Sequence, residues 1–597
     1  MGEQQPSPIV SIKSQPWDKI IIPEGFMLNQ NGVYLKDTDK TKIADPVWVS
    51  AHTHNEDTGA YGLVISFIDR KGKKKEQPLF LDAVHERGKG LAQLLAKSGL
   101  YIAHNKEGKL HEFLNNFEPQ HWARSVTKLG WLDSKDGKLE YLVSSKDGII
   151  SNHEVNNVIF QPEAFSPTST TIYKQGTLEE WKQHVAEPCR GNPYLVFAIC
   201  TSLAGILLKH SKTENGGFHF YGRSSRGKTT LAQVAATVFG CGADPSEVSD
   251  QSFVQRWNST SNALEGLLAA HNDSLLVLDE IASYHGKDFG RVIYNIVSGK
   301  AKARMSRDAD LKAQTTWRTL ILSTGEISAQ KKIEEYEKVH AGQLLRLLDI
   351  PTHEAIIKTT HGSEPEQFAL NLKQSCAKYF GVAGSGFIKT LIRKYSNSHT
   401  LRYAISEKIN RYSSFLKFEK VTPEQLRALR RFALVGVAGE MAVELGVLPF
   451  STEEIKNSIQ MVAHAWLTES SQLPDNVRGC VAVQQFILAN PSRFRDAMIQ
   501  PSNPAYSATE KNLAGYKNQL GDLYWFLPDG FAEACGNNDV KEVARELRVR
   551  GILCGEKDRF ISRVQIHVNG AKHRVQVYAI SGKAITEHEF YSPTPFI

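Results

Sequence analysis

The sequence predicts a multidomain α/β chain: an α+β N-terminal domain, an α/β core around a phosphate-binding loop, a helical domain and a C-terminal winged helix. Three observations predict it. A short apolar strand runs through Gly222-Arg223-Ser224-Ser225-Arg226-Gly227-Lys228-Thr229 into an amphipathic helix. Further on, the apolar run Leu275-Leu276-Val277-Leu278 ends in the adjacent acids Asp279 and Glu280. After Asp475 the pattern reads helix, strand, helix, helix and two strands. A chain of 597 residues has room for about three or four such domains.

Composition narrows the class without naming a function. Hydrophobic residues make up 41% and charged residues 23%, which provides for sizeable buried cores. The formal charge of +7 is compatible with a nucleic-acid partner but does not require one. The seven cysteines are scattered with no C-x-x-C pair, which argues against a zinc module or disulfide framework and for a reducing cytosol. The N-terminus has no apolar leader, and the apolar run over 194–208 falls short of the roughly 20 residues that a membrane span needs. It reads as a buried helix. The expectation is a soluble cytoplasmic chain without a membrane partner.

Taken in order, residues 1–24 read as a polar tail and 25–165 as the α+β domain. Strands are expected over 48–50, 62–67 and 139–143, a basic hairpin turn over 68–75 and a helix over 90–97. A Ser/Thr/Pro-rich linker over 165–170 follows. The core is expected over 176–352, opened by a capping box from Thr177 to Glu180 and a helix over 193–210. Apolar spacing makes 353–470 helical.

The core carries the chemistry. A G-x-x-x-x-G-K-T loop between strand and helix wraps a polyphosphate with backbone N–H groups, the helix N-terminus favouring negative charge. The expected ligands are ATP and Mg²⁺, held by Gly222, Ser225, Arg226, Gly227, Lys228, Thr229 and Thr230. Lys228 is placed for the β/γ-phosphates, and Thr229 and Asp279 for the metal. Glu280 is the candidate to polarise an attacking water. A third strand over 316–322 leads into Ser323-Thr324-Gly325-Glu326. Thr324 is the candidate γ-phosphate sensor there, with Ser323 as backup; the plain alternative is a strand-to-turn cap. Arg346 stands in the apolar run 342–351, where a cation is costly unless it meets an anion. A neighbouring subunit's γ-phosphate is one such anion, and a local pair with Asp349 is the other reading.

These segments, with Trp257-Asn258-Ser259-Thr260-Ser261-Asn262-Ala263-Leu264-Glu265 between them, resemble the domain-of-unknown-function 927 family over about Phe26 to Trp466. That family is similar to superfamily III and MCM-like AAA+ replicative helicases of mobile genetic elements. The resemblance implies an AAA+ ATPase forming a hexameric ring, with ATP between subunits and single-stranded DNA in the pore. It implies a basic pore hairpin before the third strand, where Lys300, Lys302, Arg304 and Arg307 stand. Alternation puts Lys300, Lys302 and Arg304 on one face of an extended arm, although a solvated charged face has the same pattern. The sensor in superfamily III proteins is usually Asn, so Ser-Thr here departs from the pattern.

The winged helix over 475–597 would set a basic helix over 538–550, with Lys541, Arg545 and Arg548, into a DNA groove and its wing tip near 569–572 on phosphate. Winged helices also bind protein, and the sequence leaves both open. The leading expectation is an ATP-dependent helicase acting on single-stranded and forked DNA. The other readings are an ATP-switched DNA-binding initiator and an ATPase scaffold in an antiviral assembly. No primase signature is visible, so priming or initiation would come from a separate protein.

Overall fold

The computed structural model describes residues 20–587 except 86–87, 120, 135, 145–147, 156–157, 163–171, 248–250, 303–313, 353–354, 417, 419–420, 471–474, 498–512, 519–521, 537, 556–558 and 569–570. Most of the polar tail, the linker over 165–170, Arg304, Arg307, and Asn569 and Gly570 at the expected wing tip therefore lie outside the described residues. The chain divides into two compact units, Met1–Ala463 and His464–Ile597.

In the first unit, the N-terminal part builds a five-stranded sheet ordered Val158–Phe160, Trp122–Val126, Val47–His54, Tyr61–Ile68 and Lys74–Phe80. The basic turn joins its last two strands as expected: Ile68 pairs with Lys74, and Asp69 accepts the amides of Lys71 and Lys73, both at 2.9 Å. Helix Gly88–Lys97 matches the expected one. Helices Leu81–His85 and Glu107–Asn115 were not anticipated. A core of Phe26, Trp48, Ile65, Phe67, Leu95 and Phe113 holds these elements together.

The central element of the unit is a sheet of five parallel strands. Its order is Gln255–Arg256, Ser274–Asp279, Thr319–Gly325, Gly216–Tyr221 and Leu347–Pro351, so strands of sequence rank 2-3-4-1-5 lie side by side. Such strands bury both faces, which explains their near-continuous apolar runs. Helix Pro193–Ser211 packs on strands Ser274–Asp279 and Thr319–Gly325 and on helix Pro423–Glu444. It is long and apolar enough to pass for a membrane span, yet 94% of its apolar window is buried inside the fold. The expected capping box is present, with Glu180 N donating to Thr177 Oγ1 at 3.2 Å and Thr177 N to Glu180 Oε2 at 2.9 Å.

Two boundaries differ from expectation. The strand expected over 316–322 runs from Thr319 to Gly325. The residues before it serve another purpose: Arg318 pairs with the fully buried Asp273, Nε to Oδ1 at 2.9 Å and Nη2 to Oδ2 at 3.1 Å. Asp273 also accepts the Trp131 amide at 3.1 Å, and Tyr141 donates to its carbonyl at 2.8 Å. The N-terminal part is thereby docked on the start of the Thr319–Gly325 strand. The second difference is the helix after the glycine-rich loop, which spans Lys228–Ala236 and so begins at the lysine itself.

Helices Pro365–Lys378, Val382–Lys394, Ser398–Phe415, Pro423–Glu444 and Thr452–Ser470 follow, as the apolar spacing predicts. In the second unit, helices Asp475–Ala489, Pro528–Cys535 and Val540–Val549 pack on a sheet that includes Leu523–Phe526, Leu553–Cys554 and Ala571–Ser581. Strands Ser562–Val568 and Ala571–Ser581 form an antiparallel pair. Strands Phe494–Asp496 and Gly515–Lys517, paired in parallel, were not anticipated.

Candidate functional site

In a parallel sheet all strands deliver their C-terminal ends to one edge. Here that edge gathers three features from neighbouring strands. Gly216–Tyr221 opens into the glycine-rich loop, Thr319–Gly325 beside it carries Thr324 as its second-last residue, and Ser274–Asp279 ends with Asp279, followed by Glu280. The loop's backbone needs its glycines. Gly222 (φ +155°) would put a Cβ 2.5 Å from Thr352 Oγ1, and Gly227 turns at φ +92° before the helix. Gly227 provides no side-chain cap, so the first-turn N–H groups of the nine-residue helix Lys228–Ala236 face the loop. Ser225 is also left-handed at φ 62°. Ser225 is exposed, Arg226 and Thr229 are half-buried, and Thr230 is buried in the helix.

Lys228 folds back over this cradle, its Nζ donating to the carbonyls of Gly222 and Arg223, both at 2.8 Å. Burial pulls its pKa down, while the negative charges of Glu326, Glu280 and Asp279 oppose that shift. The ammonium thus lies within electrostatic reach of three carboxylates. Glu326 is one that the sequence gave no reason to single out; its place directly after the Thr319–Gly325 strand is the available signal.

The polar residues ending that strand separate cleanly. Ser323 and Thr324 are both fully buried and, being consecutive in a strand, point to opposite faces. The Thr324 hydroxyl donates to Asp279 Oδ1. Ser323 instead lies in a chain of inward bonds: it accepts from Trp257 Nε1 at 2.8 Å and meets His219 Nδ1 at 2.8 Å. His219 Nε2 lies 2.8 Å from the Ile327 carbonyl, so Nε2 carries the proton and Ser323 donates to Nδ1. Burial holds His219 down to a pKa of about 4, consistent with a neutral ring. The backup sensor Ser323 is therefore engaged in structural bonds, and both residues lie within the strand Thr319–Gly325.

Glu280 sits in the left-handed region at φ 58° and accepts the Ala282 amide at 3.3 Å, capping a short turn. A non-glycine residue there is strained, and such strain is typical of functional positions. Arg346 lies between helix Ala341–Leu344 and strand Leu347–Pro351, not inside a strand as expected. Its guanidinium donates to the Gly342 carbonyl and stacks 4.2 Å from the Tyr294 ring centroid, with Nε buried and without a hydrogen-bond partner among the described residues. Asp349 accepts the amides of Ala329 and Gln330 at 2.8 and 3.1 Å. Because Gly217 registers with Leu347, Arg346 stands at the opposite end of the sheet from the loop, about 17 Å along the strands. It cannot reach a ligand in its own loop.

Asn192 is a further residue that sequence reasoning missed. Placed directly before Pro193, it has the position of a helix cap, but its side chain makes no cap hydrogen bond. Its Oδ1 instead accepts the amides of Lys358 and Thr359 at 2.7 and 2.8 Å. That strap passes the loop through a bond from Ile356 N to Arg226 O at 3.0 Å.

Residues 26–316 match the family model described as domain of unknown function DUF927. That match covers just under half of the chain. The matched stretch takes in the N-terminal sheet, the glycine-rich loop and Asp279-Glu280, and ends before the strand bearing Thr324. It is shorter than the resemblance over about 26–466, leaving Thr324 and Arg346 outside the match. The SCCmec type IV Cch active helicase has a similar solved structure, with a TM-score of 0.66 at 19% identity, covering 94% of this chain and 98% of that one. The two share a fold. The apo A form of the NrS-1 C-terminal region has a TM-score of 0.27 at 12% identity, covering 69% of this chain and 90% of that one, which adds nothing to the fold assignment. No curated protein matches the chain.

Of the expected DNA-contacting residues, Lys300 and Lys302 lie within the matched stretch, and Lys541, Arg545 and Arg548 belong to the second unit. Lys300 is exposed and forms an antiparallel bridge with Thr316, and residues 303–313 between them lie outside the described residues. Lys302 does not line up with it on an outward face, because its Nζ donates to Ser261 Oγ at 3.3 Å. On helix Val540–Val549, Val543, Ala544 and Leu547 face the core and Lys541 is exposed. Arg545 pairs with Glu542, and Arg548 donates to the Arg559 carbonyl at 2.8 Å.

Proposed function

We propose that this chain is an ATP-driven DNA helicase of a mobile genetic element, acting as a ring on single-stranded DNA. The observation that carries the reading is the convergence of the glycine-rich loop, Thr324 and Asp279-Glu280 on the ends of adjacent parallel strands. A strand order of 2-3-4-1-5 supports an AAA+ core over 176–352. Likeness in fold to a helicase supports the same class. The segment 353–470 is then the helical domain and 475–597 the winged helix, with 1–24 a tail and 25–165 the N-terminal domain.

The residues fit a nucleoside triphosphate with Mg²⁺. ATP supplies the phosphoanhydride bond that is broken, and Mg²⁺ neutralises charge on its phosphates. Gly222, Ser225, Arg226, Gly227, Thr229 and Thr230 offer loop and helix-start amides, and Lys228 exchanges its two carbonyl partners for phosphate oxygens. Among the described residues no cluster of three His, Cys, Asp or Glu could cage a metal. Mg²⁺ usually takes one or two protein oxygens alongside phosphates, and Thr229 and Asp279 would supply them. Thr324 orients Asp279. Glu280 leaves the Ala282 amide and accepts the proton of the attacking water. Arg346, unable to act on its own loop, neutralises charge at a neighbour's site. Lys300, Lys302, Arg304 and Arg307 track the single strand, and Lys541, Arg545 and Arg548 contact duplex at the fork.

The test is ATP turnover with and without single-stranded DNA. Turnover raised severalfold by single strands, and returned to basal by high salt, supports a DNA motor. Slow turnover indifferent to DNA would point to an initiator switch or a scaffold.

A further inference from the structure

One end of the N-terminal sheet exposes an aromatic corner. His52 and Trp122 stack with centroids 4.8 Å apart, His54 lies 4.6 Å from Tyr61, and Tyr61 stands edge-on to Trp122 at 6.1 Å and 81°. Trp122 is 54% and Tyr61 51% exposed, and the two rings are contiguous. The groups around it are acidic. Glu56 and Asp57 sit exposed in the loop that joins His54 to Tyr61, and Glu118 lies close enough to act on the His52 ring. The nearby cation, Arg124, is engaged by Glu140 at 3.1 Å and by the Asp133 carbonyl at 2.5 Å.

Aromatic faces bind either stacked bases or cations. A nucleic-acid strand brings phosphates, which Glu56, Asp57 and Glu118 repel. A basic side chain fits both the ring faces and the acids. The other end of the same sheet presents one. Strand Tyr61–Ile68 runs from the aromatic corner to the basic turn, about 24 Å away. At that turn Lys74 pairs with Glu76, Lys75 with Asp69, and Arg70 lies over the Tyr101 ring. Lys71 and Lys73 are exposed, and among the described residues their hydrogen bonds run through their backbones.

We propose that the aromatic corner of one copy receives the Lys71–Lys73 tip of the next copy. Opposite ends of one sheet meeting in this way make a head-to-tail contact, which generates a ring where the rotation closes. The inference rests on the ring reading and gives the N-terminal domain its part in assembly.

The test is the mass distribution of the full chain over a concentration series with nucleotide, by mass photometry. Tyr61→Ala with Trp122→Ala, and separately Lys71→Glu with Lys73→Glu, raise the concentration for half-assembly about tenfold, the scale of a cation held on aromatic rings. Unchanged thermal unfolding confirms that these exposed substitutions leave the fold intact. Adding Glu118→Lys and Glu56→Lys to the Lys71→Glu, Lys73→Glu chain recovers assembly. Parent-like assembly by both sets of variants overturns the proposal and leaves the ring reading standing. Parent-like assembly with lost single-strand binding in the aromatic variant also overturns it, making nucleic acid the occupant. A parent that stays monomeric overturns both.

Discussion

The Thr324 hydroxyl donates a hydrogen bond to the Asp279 carboxylate across two neighbouring parallel strands, while Ser323 beside it turns inward to Trp257 and His219. This split predicts opposite consequences for neighbouring residues. Thr324→Val should lower ATP turnover about 10²-fold, as removal of one preorganised donor does, with little change in melting temperature. Ser323→Ala leaves the Trp257 and His219 nitrogens without their partner in a buried place, costing about 1–3 kcal/mol of stability. Steady-state turnover and thermal unfolding of both variants check this; equal effects on both readouts would remove the distinction.

Glu280 is held by the Ala282 amide in a left-handed conformation next to the metal candidate Asp279. Glu280→Gln keeps shape and removes the base. ATP affinity should remain within a few-fold while hydrolysis falls about 10²- to 10⁴-fold. Equilibrium binding of a fluorescent ATP analogue alongside phosphate release separates the two, and full hydrolysis by the variant would discard Glu280 as base.

Arg346 stands at the far end of the sheet from its own loop, so its partner phosphate belongs to another subunit. Arg346→Ala and Lys228→Ala chains should each be inactive alone. Mixed in equal amounts they form some interfaces with an intact Lys228 on one side and an intact Arg346 on the other, and turnover should return in part. Silence in a demonstrated mixed assembly would reduce Arg346 to its stack on Tyr294.

Three buried histidines set an acid limit. Burial pushes His219 and His271 down to about 4 and His210 down to about 3. The unfolded chain takes up these protons near pH 6.5, the folded chain only near its lower values. Stability is therefore intact above about pH 6.5 and is lost as pH falls towards about 4, by about 2 kcal/mol per histidine at pH 5. The urea midpoint should drop between pH 7.5 and 5. His210→Phe should drop less, since both His210 ring nitrogens lack partners and its ring packs edge-on to Trp131. A midpoint unchanged at pH 5 contradicts the assignment.

Much of this was legible because the signals are local. The glycine-rich loop lies in one octet, and the apolar helix Pro193–Ser211 and the acidic strand announce themselves by run length. What was not legible depends on pairs far apart in sequence. The polar Ser323-Thr324 step left a sensor and a strand-to-turn cap both open, because its buried partners, His219, Trp257 and Asp279, come from other strands and loops. Arg318 was read as strand, whereas Asp273 draws it into the docking of the N-terminal part. The environment of Arg346 could not be anticipated either, since Tyr294 and Gly342 reach it only in the folded chain. Patterns of apolar residues report which face is buried, not which polar groups meet there.

The central claim is that ATP chemistry at the Lys228 loop drives DNA strand separation. Its most direct measurement is strand displacement from a forked DNA by the purified chain with ATP and Mg²⁺, run beside Lys228→Ala. The account predicts displacement by the parent and none by Lys228→Ala. Displacement that persists in Lys228→Ala, or a parent that hydrolyses ATP yet leaves the fork intact, would contradict it.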